Sequence, residues 1–220
     1  MSHWVKICAN TSLADALLAA EAGADAVGFV FAPSKRRVSV EQVAAIVSAL
    51  PEALEKIGVF VDSTADEIES AAHACNLTGV QLHFDAPLTL TAELRRRFQG
   101  KKKILRVLHF SSAPLDDQAL EKLTDPSVGA ILVDSRSAAG IGGTGETFDW
   151  IAASQTLFRE AANRGVKLVV AGGLSPENVA EAIRVLNPWG VDVASGVEAA
   201  PGKKHAAKVR TFIAQAWLAR

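Results

Sequence analysis

Two cysteines in 220 residues, Cys8 and Cys75, are too few for a disulfide framework. Cys8 falls in an apolar run and Cys75 in a helix-period segment, so both are expected as free thiols of a reducing, cytoplasmic compartment. An excess of charge is missing too. The chain has 23 Lys and Arg against 24 Asp and Glu, a formal net charge of -1, so no strong field draws it to nucleic acid or to a membrane. The opening MSHWVKICAN lacks the basic start and long apolar run of a secretion signal. No stretch reaches membrane-spanning length without polar breaks. There is no C-x-x-C and no His/Cys/Asp set with structural-metal spacing, so no metal is expected. No G-x-G-x-x-G follows the first strand candidate, which leaves a dinucleotide crevice without support. The densest cationic stretch, Arg95–Arg97 with Lys101–Lys103, reads as a solvated helix end and turn, where it suits the helix dipole.

What is present is alternation. Apolar residues make up 49% of the chain, enough for one good core, so residues 1–220 are expected to form a single domain. Strand-length apolar runs occur at 5–9, 26–31, 56–61, 79–83, 104–109, 130–134, 167–172 and 191–195. Most are continuous rather than alternating, as in parallel strands covered on both faces. Helix-period segments lie between and after them, at 13–23, 40–50, 65–75, 89–98, 150–164, 176–186 and 203–220, with a shorter one within 114–123. Ser39 and Thr64 are candidate caps, and Thr64 with Glu67 has the capping-box spacing. Ser175 before Pro176 predicts a helix start at 176. Eight strands, each followed by helix, is the count of a closed (β/α)8 TIM barrel. An open doubly wound sheet is the alternative. The sixth unit is the longest, and its extra length is the loop after AILVD, SRSAAGIGGTGETFDW.

Barrels place their chemistry at the C-terminal strand ends and the loops that follow. The glycine-rich loops after strands six, seven and eight, GIGGTG, AGG and SG, predict a phosphate cup, because glycine lets backbone N–H groups come close to an anion. Cys8 at the end of strand one is a candidate base, with Lys6 on the same side to lower its pKa. Asp134 at the end of strand six is a candidate acid, provided burial raises its pKa. Gln81 and His83 sit at the end of strand four, Arg106 and His109 on strand five, and Arg36 in the second loop. Both histidines are also candidate proton carriers.

In combination, VKICAN, AEAGADAVGFVFAPSKRRVS, IGVFVD, GVQLH, ILVDSR with GGTGETFDW, VVAGGLSPENV and VASGVEAAPGKKHAAKVRTFI resemble the phosphoribosylanthranilate isomerase family of tryptophan biosynthesis, over nearly the whole chain. The resemblance implies an Amadori rearrangement without a cofactor. N-(5-phosphoribosyl)anthranilate becomes 1-(o-carboxyphenylamino)-1-deoxyribulose 5-phosphate. It implies Cys8 as general base and Asp134 as general acid. Arg36 then holds the anthranilate end, and Gln81 and His83 match its substrate-side GVQLH motif. Gly143, Thr144, Gly145, Gly172, Gly173, Ser195 and Gly196 match its phosphate-binding segments. The expected partner is therefore a small phosphosugar–anthranilate, with neither nucleic acid nor membrane. The expected state is a monomer, with a homodimer as the alternative. Two positions depart from the family pattern. Ala9 replaces the glycine after the cysteine; a left-handed backbone there would cost alanine about 1 kcal/mol or more. Phe84 replaces the glycine after QLH, and its ring is expected at the barrel mouth, over or against the anthranilate. Residues 135–141 are expected to cover the bound sugar. The rival readings are another sugar-phosphate barrel enzyme and a catalytically silent phosphate-binding barrel.

Overall fold

The computed structural model describes residues 3–110, 115–135 and 147–219. Eight parallel strands close into a barrel: β1 (Trp4–Ile7), β2 (Ala26–Val30), β3 (Glu55–Phe60), β4 (Gly79–Leu82), β5 (Lys103–Phe110), β6 (Ala130–Ser135), β7 (Leu168–Val170) and β8 (Gly190–Val193). Lys6↔Asp192 and Ile7↔Val193 pair β1 with β8, and that closure rules out the open sheet.

Helices α1 (Leu13–Glu21), α2 (Val40–Val47), α3 (Ala65–Ala74), α4 (Leu88–Arg97) and α5 (Asp117–Leu123) follow the first five strands. The starts have local causes. Ser39 with Gln42 and Thr64 with Glu67 form complete capping boxes, and Ser12 and Asp116 cap α1 and α5 through side-chain oxygens. After β6, Asp149 caps a helical run in which α6 (Trp150–Ala153) and α7 (Arg159–Arg164) flank a π-turn over Ser154–Phe158.

Two helix starts fall later than the sequence predicts. Helix α8 is Val179–Leu186, not 176 onward. Asn178 intervenes: its Oδ1 accepts from Ser175 N–H at 2.8 Å and its Nδ2 donates to the Gly173 carbonyl at 2.9 Å. That side-chain competition holds 176–178 as a turn. Helix α9 is Ala206–Leu218 rather than 203–220, because a turn at Pro201–Gly202 folds β9 (Glu198–Ala200) against β10 (Lys203–Lys204).

One apolar cluster lies between sheet and helices, and a second fills the barrel with Ile57, Leu105, Val107, Leu132 and Val169. At the N-terminal end Trp4 stacks on Trp189, with centroids 5.1 Å apart. The Lys103 ammonium lies 5.0 Å from the Trp4 ring. This apolar floor leaves the opposite end for polar groups. The basic run is not simply solvated: Arg97 bonds Asp66, Glu69 and Glu93, and Lys103 pairs with Glu55.

Candidate active site

Period-two geometry puts Trp4, Lys6 and Cys8 on one side of the first strand. Lys6 is fully buried, and its ammonium donates to Gln81 Oε1 on β4 and Asp192 Oδ1 on β8, each at 2.9 Å. Cys8 comes one step nearer the mouth, just past β1, where its N–H donates to the Val193 carbonyl at 2.8 Å. Gly28 on β2 makes room for both side chains. A Cβ there would lie 2.7 Å from Cys8 Sγ and 3.1 Å from Lys6 Cε. Ala9 has φ 60, the left-handed backbone that glycine would occupy without strain. Asn10 then ties the turn down, its Nδ2 donating to the carbonyls of Ile7 and Gly28.

A cavity of about 350 Å³ opens at this end of the barrel. Cys8, Arg36, Gln81, His83, Asp134, Gly172, Gly173 and Ser195 all line it, so residues scattered over the sequence meet in one place. Gly196 is one residue beyond, in the 3₁₀ turn Ser195–Val197. Gly143, Thr144, Gly145 and the cover over 136–141 lie outside the described residues. Gly172, with φ 75, lies directly against the candidate acid, where a Cβ would be 2.4 Å from Asp134 Oδ1. The N–H groups of Gly172 and Gly173 donate to no backbone carbonyl among the described residues.

Two expectations need correction. Phe84 is half-buried against the outer apolar cluster and does not line the cavity. Arg106 is buried away from the cavity, bonded to the Ala86 carbonyl and facing Asp125. His109 does approach the site, its ring edge-on to His83 with centroids 5.8 Å apart.

Electrostatics separates the acid from the base. Burial, assisted by Asp192, raises the Asp134 carboxyl to about 6, against weaker opposition from Ser135 and Lys6. Cys8 goes the opposite way from expectation. Burial raises its thiol, and the Lys6 charge lowers it by less. His83 is held down to about 4 by burial, then by His109 and Lys6. It is therefore neutral at physiological pH, with Nε2 3.6 Å from Asp134 Oδ2. Among the described residues no group of three or more His, Cys, Asp or Glu is arranged to hold a metal ion.

Asp192 and Glu198 are site residues that sequence reasoning missed. Asp192 was legible as a carboxylate inside an apolar strand run. Glu198 is buried and grips Arg36 side-on, with Nε at 2.9 Å and Nη2 at 2.7 Å. Burial alone would raise the Glu198 carboxyl, but Arg36 and Lys204 hold it below the ordinary value. The clamp fixes the guanidinium plane and leaves Nη1 outside the bidentate pair.

The chain matches the family model described as N-(5'phosphoribosyl)anthranilate (PRA) isomerase over residues 5–215. The N-(5'-phosphoribosyl)anthranilate isomerase of Pelobacter propionicus is 47% identical, covering 95% of this chain and 93% of that protein. The phosphoribosyl anthranilate isomerase structure from Thermotoga maritima aligns with TM-score 0.83 and 39% identity over 98% of both chains. A phosphoribosyl anthranilate isomerase solved in complex with reduced 1-(o-carboxyphenylamino)-1-deoxyribulose 5-phosphate aligns with TM-score 0.81 and 37% identity, again over 98% of both.

Proposed function

The chain belongs to the N-(5'-phosphoribosyl)anthranilate isomerase family, and from that membership we propose how its own residues carry out the isomerisation. The substrate is N-(5-phosphoribosyl)anthranilate and the product 1-(o-carboxyphenylamino)-1-deoxyribulose 5-phosphate, the compound whose reduced form is bound in the related structure. The observation that carries the reading is the cavity. Cys8 and Asp134 both face it, Arg36 stands on one wall and the glycine loops after β7 and β8 on another.

In this reading the phosphate rests on the N–H groups of Gly172, Gly173, Ser195 and Gly196; Gly143, Thr144 and Gly145, outside the described residues, are assigned the same role by the family resemblance alone. Arg36 pairs with the anthranilate carboxylate. Binding at both ends fixes the ribose between acid and base. Asp134 protonates the furanose ring oxygen, and the C1–O bond breaks as the nitrogen lone pair forms the iminium. Cys8 thiolate removes the C2 proton, giving an enolamine that tautomerises to the ketone. One proton enters from Asp134 and one leaves to Cys8, so the reaction is balanced without a co-reactant.

The proton inventory of the resting pair fits this sequence. With Asp134 at about 6 and Cys8 raised, the pair at neutral pH is carboxylate plus thiol. Carboxylic acid plus thiolate contains the same number of protons. A single internal transfer therefore makes the working form, without uptake from solvent.

The unit is read as a single (β/α)8 domain acting as one chain, since one chain provides all the cavity walls named above. A cytoplasmic setting is favoured by the two free, buried thiols; no helix among the described residues is long and apolar enough to cross a membrane. The functional test generates the substrate in situ and follows loss of its anthranilate-type fluorescence. Turnover well above background is expected; no turnover would reject the reading.

A further inference from the structure

We infer that Lys6 and Gln81 act as positioning residues that fix His83 as the neutral Nε2–H tautomer aimed at Asp134. The inference rests on the reading of Asp134 as proton donor, and reassigns Gln81 and His83 from substrate contact to control of that donor.

Donor and acceptor chemistry sets the direction of the chain. A lysine ammonium can only donate. Lys6 Nζ lies 2.9 Å from Gln81 Oε1, so that atom must be the amide oxygen. The other end of the same amide is then NH₂, 3.1 Å from His83 Nδ1. An amide NH₂ only donates, so Nδ1 accepts and carries no proton. The ring proton of neutral His83 is left on Nε2, which faces Asp134 Oδ2 at 3.6 Å. That separation is just beyond hydrogen-bond length and closes with a small ring adjustment.

Lys6 has the position to anchor this order. It is fully buried and held from the opposite side by Asp192 Oδ1 at 2.9 Å. Gln81 is 2% exposed, so water does not compete for its amide. A protonated Nδ1 would point a hydrogen at the Gln81 NH₂ hydrogens, so the relay also opposes the imidazolium. This agrees with the depressed His83 value of about 4.

Among the described residues, the charged and titratable groups around His83 come from four strands. Lys6 reaches it through Gln81 from β1, His109 presents its ring from β5, Asp134 faces it from β6, and Asp192 stands behind Lys6 on β8. Chemically, an Nε2–H donor favours the Asp134 carboxylate that forms once the proton has gone to the ring oxygen. The opposite tautomer would present a lone pair to that carboxylate and oppose its formation.

The test combines tautomer spectroscopy with kinetics. Long-range ¹H–¹⁵N spectra of histidine-labelled protein, with His83 assigned through His83→Gln, are expected to show the neutral Nε2–H form at pH 7. Gln81→Glu keeps the acceptor for Lys6 but offers His83 an acceptor in place of a donor. It should convert the signal to Nδ1–H or to imidazolium. Gln81→Met, which adds no charge, should remove the tautomer preference. Both variants should lower kcat about tenfold or more, with KM changed much less, and Gln81→Glu should move the acid limb of the kcat/KM profile to higher pH. An Nδ1–H or cationic His83 in the parent would overturn the inference. So would an unchanged tautomer in Gln81→Glu, or a changed tautomer with parent kinetics. Failure of the proton-donor reading has a different signature: Asp134→Asn would keep parent turnover whatever His83 shows.

Discussion

Gly172→Ala tests whether the loop after β7 sets the position of Asp134. The added methyl would sit 2.4 Å from Asp134 Oδ1 and 2.5 Å from Ser135 Oγ, where ordinary contact begins near 3.4 Å. The carboxylate must therefore retreat by about 1 Å, a misplacement worth on the order of 100-fold in rate for a reacting group. The N–H proposed to hold the phosphate remains, so KM should rise far less than kcat falls. Backbone strain is separable with a control. Gly165, at the end of α7, also has positive φ, 68, but nothing lies within 4 Å of its Cβ position. Gly165→Ala incurs the left-handed penalty of about 1–2 kcal/mol, partly offset by the stiffer unfolded chain. A net loss of about 1 kcal/mol lowers Tm by about 2–4 °C in a chain of this size. Gly172→Ala should lose at least as much stability and about two orders of magnitude in kcat, whereas Gly165→Ala should keep parent kcat. Thermal melts and steady-state fluorescence kinetics on both variants measure this. Parent-like kcat in Gly172→Ala, or equal kinetic losses in the two variants, would refute the reasoning.

Asp134→Asn should trade activity for stability in a pH-dependent way. Below the ordinary carboxylate value of 3.8 the parent group is protonated whether folded or unfolded; as pH rises toward about 6 the folded state loses stability, and above 6 the full penalty of at most about 3 kcal/mol stands. The variant's Tm advantage should thus be greatest at pH 7–8 and shrink toward pH 4; an advantage independent of pH would contradict it. Glu198→Gln should raise KM about tenfold with kcat within a factor of about three, because it weakens the clamp on Arg36, the proposed anthranilate-binding residue, and touches no proposed reacting atom; a loss confined to kcat would contradict the clamp. The kcat/KM profile of the parent should be bell-shaped, with an acid limb near pH 6 set by Asp134 and an alkaline limb above the ordinary thiol value set by Cys8; an acid limb unchanged in Asp134→Glu would mean that another group sets it.

The barrel was legible because its signals are local. Continuous apolar runs, Ser39 and Thr64 caps and a repeating strand–helix spacing each act over a few residues, and together they give eight strand–helix units; closure rather than an open sheet is decided by the long-range pairing of β1 with β8. Starts that depend on competition between side chain and backbone were not. Nothing in the order Ser175-Pro176 reveals that Asn178 captures the turn, and nothing before Lys203 reveals that the Glu198 side chain accepts from Gly202 N–H across the β9–β10 turn. At the cavity, the placement of Cys8, Asp134, Gly172 and Gly173 was readable from residue type at strand ends. Their state was not. Lys6 was expected to lower the Cys8 thiol, but its charge is shared with Gln81 and Asp192 from two other strands, and burial prevails. Phe84 faced the cavity in the sequence reading and faces the outer core in the structure, a difference of one side of a strand end.

The most direct test of the central claim is steady-state turnover of N-(5-phosphoribosyl)anthranilate by the parent, Cys8→Ser and Asp134→Asn, with folding of each checked by circular dichroism. The parent should turn over well above background, and each folded variant should lose about two orders of magnitude or more in kcat. A parent without activity, or folded variants near the parent rate, would contradict the assignment of base and acid to these two side chains.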